Sequence, residues 1–170
     1  MQRHLIVPAV LVGLNLCGCA PEAPKPVQTM VVAEGKKELS PEERERNYHH
    51  AFQAGLRSIR EEQYGAALAA FEEAVKMNPD STEAMFNLAA CHEAVGDPLR
   101  AIHFYKSLAG RNPKDPDCYT NLGTSYIKMY YREKTPSWRE MAIEAWRRSL
   151  AIRRDQPHVQ KFLAQARAIE

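Results

Sequence analysis

Apolar residues fall into three regimes along this chain. Leu5 to Leu16 is a short apolar run, interrupted by Pro8, Gly13 and Asn15. Residues 20–39, "APEAPKPVQTMVVAEGKKEL", are polar and proline-rich, and Met30, Val31 and Val32 are their one apolar cluster. From Pro41 onward apolar positions return at helical spacing, broken at regular intervals by Gly, Asp and Pro. That pattern predicts helices over Pro41–Glu62, Tyr64–Met77, Ser81–Val95, Pro98–Ala109, Pro116–Tyr131 and Pro136–Ile152. A last helix carries Val159, Phe162, Leu163, Ala166 and Ile169 on one stripe and polar residues elsewhere.

Cap residues support these boundaries. Ser40, Pro41 and Glu43 make a capping box with proline in the first turn, and Asp80 with Glu83 predicts a second box. Gly96 can end one helix, while Asp97–Pro98 and Asp115–Pro116 can start the next ones.

The helices repeat. Gly55, Ala89 and Gly123 stand 34 residues apart, and Ala54, Leu88 and Leu122 hold the column beside them. The same spacing relates Ala67 to Ala101, Phe71 to Tyr105, Ala74 to Leu108 and Pro79 to Pro113. Small residues recur where two helices must approach closely, and aromatics recur beside them. The stretches "YGAALAAFEEAVKMNPD" (64–80), "AMFNLAACHEAVGDPLRAIHFYKSLAGRNP" (84–113) and "CYTNLGTSYIKM" (118–129) resemble the tetratricopeptide repeat.

The resemblance implies an all-α fold. Antiparallel helix pairs would stack into a right-handed α-solenoid of about three repeats, near 48–81, 82–115 and 116–156, closed by a capping helix at 157–169. The repeat domain would occupy residues 40–170. The third repeat departs from the period. Ala142 follows Ala101 by 41 residues, so seven are inserted, within "YYREKTPSW" (130–138), and part of the insert should lengthen the last repeat helix. Arg154 also stands where the earlier repeats carry proline.

The first regime bears on location. A run of twelve residues is too short for a spanning helix, which needs about 20, and a short basic start at Arg3 and His4 suits a signal peptide. "Leu16-Cys17-Gly18-Cys19" resembles a bacterial lipobox, with Gly18 as the small residue before the modified cysteine; Cys17 fits less well behind bulky Leu16. The resemblance implies a signal at 1–18, a lipidated Cys19, and a tether to residue 39 that would span roughly 25 Å as a random chain. A plain secretory signal or an uncleaved anchor is the alternative. Ala20 after the cysteine implies, by resemblance to Gram-negative lipoproteins, an outer-membrane anchor facing the periplasm.

Net charge is +2, which gives no global attraction to nucleic acid. Residues 33–110 hold 9 Lys and Arg against 13 acids, and residues 111–170 hold 12 against 7. The imbalance either orients a partner or marks two ordinary solvated faces. No cluster of acid, base and nucleophile suggests an enzyme, and no ligand set calls for a metal or cofactor. His49 and His50 are adjacent and diverge by about 100° on a helix. His92–Glu93 lacks the second histidine of a zinc-protease helix. Cys91 and Cys118 would sit on neighbouring helices with about 10 Å of axial offset, at 1.5 Å per residue, which is long for a disulfide.

In the resembled family the first helix of each pair lines a concave face. The implied wall runs through His49, Phe52, Gln53, Leu56 and Ile59, then Glu83, Phe86, Asn87, Ala90 and Glu93, then Asp117, Thr120, Asn121, Thr124 and Ile127. Phe52 and Phe86 are in phase, as are Asn87 and Asn121, whose amides can bond both backbone donors and acceptors of an extended peptide. Phe52 and Leu56 could instead pack against the helix start at 40–48. The wall lacks the Lys and Arg that a carboxylate-gripping pattern needs. The implied function is a membrane-anchored interaction scaffold of the cell envelope, binding a protein or peptide partner, in the manner of an assembly or pilot factor. The alternative is a structural homo-oligomer that stacks end to end.

Overall fold

A computed structural model describes residues 38–169. The signal, lipobox and tether expectations, including lipidation of Cys19, lie outside the described residues.

Among the described residues there are seven helices and no strand: α1 (Pro41–Arg60), α2 (Tyr64–Met77), α3 (Thr82–Ala94), α4 (Pro98–Arg111), α5 (Pro116–Glu133), α6 (Pro136–Ile152) and α7 (Pro157–Arg167). Each packs against its neighbours in sequence, which gives three antiparallel pairs and a terminal helix in an α-solenoid. Every predicted helix is present, with ends shifted by up to two residues.

The starts follow local chemistry. The Ser40 box is complete: the Glu43 N–H donates to Ser40 Oγ at 3.2 Å and the Ser40 N–H donates to Glu43 Oε2 at 2.8 Å. Asp97 caps the Arg100 N–H, and Asp115 caps the N–H groups of Asp117 and Cys118. The second box differs from expectation. Ser81, not Asp80, caps α3 by accepting from the Ala84 N–H at 3.1 Å, because the chain enters its extended conformation one residue later. Gly96 closes α3 with φ +83, where a side chain would be strained.

The small and aromatic columns meet in the core. A Cβ on Gly55 would lie 2.6 Å from Phe71 Cζ, and one on Gly123 would lie 2.5 Å from Trp146 Nε1. Each glycine is therefore the space its aromatic fills. Phe71 and Tyr105 are fully buried and Trp146 nearly so. One cluster of buried residues spans α1–α3 and a larger one spans α3–α7, with Val75 and Phe104 touching both.

The seven inserted residues divide unevenly. α5 has 18 residues against 13 in α3, and α6 has 17 against 14 in α4. The turn between them shrinks from three residues to two. Five plus three minus one accounts for all seven, so most of the insert lengthens α5 rather than α6.

Where Ser81 and Asp115 cap the helices that follow the first two repeats, the third repeat carries a buried amide. Gln156 is 1% exposed. Its Nε2 donates toward Arg153 O (2.7 Å), Ser149 Oγ (2.9 Å) and Ser149 O (3.2 Å), and its Oε1 accepts from Arg153 at 3.3 Å. Ser149 Oγ in turn donates to Pro116 O at 2.8 Å. This network fixes the turn that delivers α7. Val159 and Ala166 of α7 are buried against the preceding helices, and Phe162 lies 5.6 Å from Trp146, centroid to centroid.

Candidate partner-binding face

The wall implied by the sequence is carried by α1, α3 and α5, and its members meet different fates. Phe52 is 7% exposed, its ring held between Tyr48 (5.8 Å) and Phe71 (5.6 Å). It belongs to the core, as the packing alternative requires. Thr120 is also buried, with its hydroxyl 2.8 Å from Ser149 Oγ. The remaining side chains stay at least partly open. Gln53 is exposed, and Leu56, Phe86, Asn87, Ala90, Asn121, Thr124 and Ile127 are half-buried.

Several are held in place from beneath. The Phe86 ring stands edge-on to Tyr105 at 5.5 Å. The Asn87 amide donates to Glu83 O at 2.9 Å, which orients its carbonyl oxygen, and Thr124 Oγ1 donates to Thr120 O at 3.1 Å. A pairing that the sequence reading missed crosses from α3 to α5: Lys128 Nζ stands 3.0 Å from Glu93 Oε1, though out of line for a hydrogen bond. Asp117, at the start of α5, is paired with Arg153.

Two recesses open along this face. One, of about 290 Å³, lies between the starts of α3 and α5, with Phe86 and Leu108 against Glu83, Asp115 and Asp117. The other, of about 120 Å³, lies between α5 and α7, with Ile127, Tyr131, Trp146 and Phe162 in its lining. The sequence reading did not place Tyr131 or Phe162 in a binding face. Phe162 was legible as part of the α7 stripe, but Tyr131 sits in the insert, where the repeat pattern gives no position.

The two cysteines weighed for a disulfide are not activated thiols. Burial pushes the Cys91 thiol up to about 11. Burial, with the Asp115 charge, pushes Cys118 up to about 12. Both are unbonded and buried, and the Cys118 thiol donates to Tyr105 O at 3.1 Å. His92 is buried against Phe104, with ring centroids 5.6 Å apart, and that burial holds its pKa below the usual histidine value. Among the described residues no three His, Cys, Asp or Glu side chains are grouped to hold a metal ion, and no helix is long and apolar enough to cross a membrane.

A family model described as tetratricopeptide repeat matches residues 58–120. The Photosystem I assembly protein Ycf3 of Prochlorococcus marinus (strain NATL2A) is 30% identical over 132 residues, covering 71% of this chain and 76% of that protein. Among solved structures, the first TPR of Spaghetti (RPAP3) bound to the HSP90 peptide SRMEEVD superposes with a TM-score of 0.64 at 13% identity, over 72% of this chain and 91% of that one. The MamA protein gives 0.63 at 17% identity over 72% of this chain, which spans 63% of the MamA chain, less than two thirds. At these identities the structural likenesses establish the fold alone.

Proposed function

The chain belongs to the tetratricopeptide repeat family, and from that premise we propose that it is a non-enzymatic scaffold that binds a protein or peptide segment along the α1–α3–α5 wall. The fold is one that serves protein–protein interaction. The observation that carries the reading is the open, in-phase pair Asn87 and Asn121, with Phe86, Ala90 and Ile127 beside them. Amides supply paired donor and acceptor groups for an extended backbone, and the apolar neighbours supply contact area. Gln53, Leu56 and Thr124 continue the wall at its ends. The buried Phe52 contributes only support.

The relative is named as an assembly protein, which favours an assembly or pilot factor over a free-standing receptor. The wall begins with Glu83 and Asp117 rather than cations, and Lys128 is tied to Glu93. A chaperone tail gripped by a cluster of Lys and Arg is therefore disfavoured. The lipobox-like stretch ending at Cys19 supports anchoring in the envelope, with the outer membrane facing the periplasm as the destination.

The wall is tested by Phe86→Ala with Asn87→Ala, using circular dichroism to check folding. Capture of partners from envelope extracts should fall sharply; unchanged capture removes the wall as the binding surface. Intact mass and membrane fractionation beside Cys19→Ala test the anchor, and an unlipidated native protein refutes it.

A second reading, end-to-end stacking, rests on the charge imbalance between the two parts of the chain. It requires a concentration-dependent oligomer that dissociates as salt rises.

A further inference from the structure

The recess between α5 and α7 is built where the chain departs from its own 34-residue period. The five-residue extension of α5 carries Tyr131 past the point where α3 ends, and Tyr131 remains 55% exposed. α7 sets Phe162, Gln165 and Ala166 opposite, and Trp146 joins the lining from α6. The Trp146 N–H is already committed to Thr120 O at 3.1 Å, so the indole offers the recess carbon rather than a donor. At about 120 Å³ the recess matches one side chain. It is smaller than the ~150 Å³ cavity that admits benzene and well below the 300–1,000 Å³ of typical small-molecule sites.

Its rim is positive. Lys134 closes α5 with φ +57 and places Nζ 5.3 Å from the centre of the Tyr131 ring. On α7, Lys161 precedes the lining residue Phe162 and stands about 100° round the helix from it, beside the recess. Among the described residues no carboxylate pairs with Lys134 or Lys161, whereas Lys128 is tied to Glu93 and Arg132 to Glu133. An apolar seat beneath unneutralised cations selects an apolar side chain with acidic neighbours.

We propose that this recess anchors the partner segment: one aliphatic side chain of about leucine size enters between Tyr131 and Phe162, and flanking Asp or Glu residues meet Lys134 and Lys161. The proposal rests on the wall reading above and names the chemistry of its occupant. The acid-rimmed recess at Glu83 and Asp115, toward the other end of the wall, orients the segment, since it repels the acidic flank.

The test uses three acetylated, amidated nonapeptides with the cores Asp-Glu-Leu-Glu-Asp, Asp-Glu-Ser-Glu-Asp and Lys-Lys-Leu-Lys-Lys. The full chain carries Trp138→Phe, which leaves Trp146 as the one indole of the two tryptophans. The acidic leucine peptide should shift Trp146 emission saturably. The serine peptide should not, and the lysine peptide should bind at least about tenfold more weakly, a 1.4 kcal/mol difference. Tyr131→Ala should weaken the leucine peptide about tenfold, and Lys134→Glu should reverse the acidic-over-basic preference. Circular dichroism of each variant confirms folding, and both residues are exposed.

Absence of saturable binding by any of the three peptides overturns the proposal, as does preference for the basic peptide. Asn87→Ala with Asn121→Ala separates the two readings. If that pair abolishes peptide binding while Tyr131→Ala leaves it unchanged, the recess is not the anchor and the wall stands. If neither variant matters, both readings fall.

Discussion

Gln156 gives the sharpest stability prediction. Its amide is the hub of the turn between α6 and α7, and Gln156→Leu keeps the volume while removing every hydrogen bond. An NH₂ group makes two good bonds at once, here drawn from contacts of 2.7, 2.9 and 3.2 Å, and the carbonyl oxygen accepts one more from Arg153. Each bond contributes about 1 kcal/mol net, and each buried acceptor left bare costs about 1 kcal/mol or more. Arg153 O and Ser149 Oγ would lose a donor, so the loss should total about 2–4 kcal/mol. With a urea slope of about 2 kcal/mol/M for a domain of this size, the midpoint should fall by roughly 1–2 M. Helical circular dichroism during urea titration measures this. Gln160→Leu is the matched control: that side chain is exposed, and its amide makes one bond, to Arg154 O at 3.2 Å. It should change stability by less than about 0.5 kcal/mol. Equal losses in the two variants would refute the claim that burial makes the Gln156 network matter.

The other predictions concern the core. Gly55→Ala and Gly123→Ala each drive a methyl into a ring face, at 2.6 Å from Phe71 and 2.5 Å from Trp146, so each should cost about 1–3 kcal/mol, read as a lower urea midpoint. Gly65→Ala, with open space around it, should cost nothing and by helix propensity should gain a few tenths. Burial lowers the folded-state pKa of His92, so the unfolded chain binds its proton first. Its contribution is present above the unfolded value of about 6.5 and is lost as pH falls through the lower folded value. His92→Phe should flatten that acid-side decline in urea midpoints across this window. With Cys17 and Cys19 replaced by serine, thiol labelling at pH 8 should be slow until urea unfolds the chain, because Cys91 and Cys118 titrate near 11 and 12. Rapid labelling of the native protein would show that the core opens.

The fold was largely legible because its signals are redundant. Ser40, Asp97 and Asp115 are each followed by proline and mark helix starts without reference to anything distant. The small and aromatic columns are mutually dependent: Gly55 has meaning because Phe71 fills it, and the 34-residue spacing exposes both sides of that contact at once. The Ser81 cap was misassigned by one residue because Asp80 and Ser81 are both competent caps, and only the backbone angles choose between them. Gln156 was invisible for another reason. In sequence it is a polar residue between Asp155 and Pro157, and nothing local distinguishes a solvated turn from a buried one.

The candidate binding face was legible by column and not by cover. Phe52 and Phe86 occupy the same repeat position, yet one is core and the other wall. The difference lies four residues earlier, one helical turn away: Tyr48 lays its ring over Phe52, while the equivalent of Tyr48 before Phe86 is Thr82, which cannot cover it. Tyr48 is held there by a 2.8 Å contact between its hydroxyl and Ser81 Oγ, the cap of α3. The helix extension that begins at Ser40 therefore removes a position from the face at the first repeat. The insert does the opposite at the third, where five added residues bring Tyr131 to it. Both changes move apolar surface toward the α7 end of the wall, where Ile127, Tyr131 and Phe162 gather, and leave the first repeat with Leu56 and Ile59 as its apolar members beside the exposed His49 and Gln53. A repeat array with equal rungs would bind a segment in several registers. On the proposed wall unequal rungs would permit one, and in this chain the inequality comes from the two places where the sequence departs from its repeat.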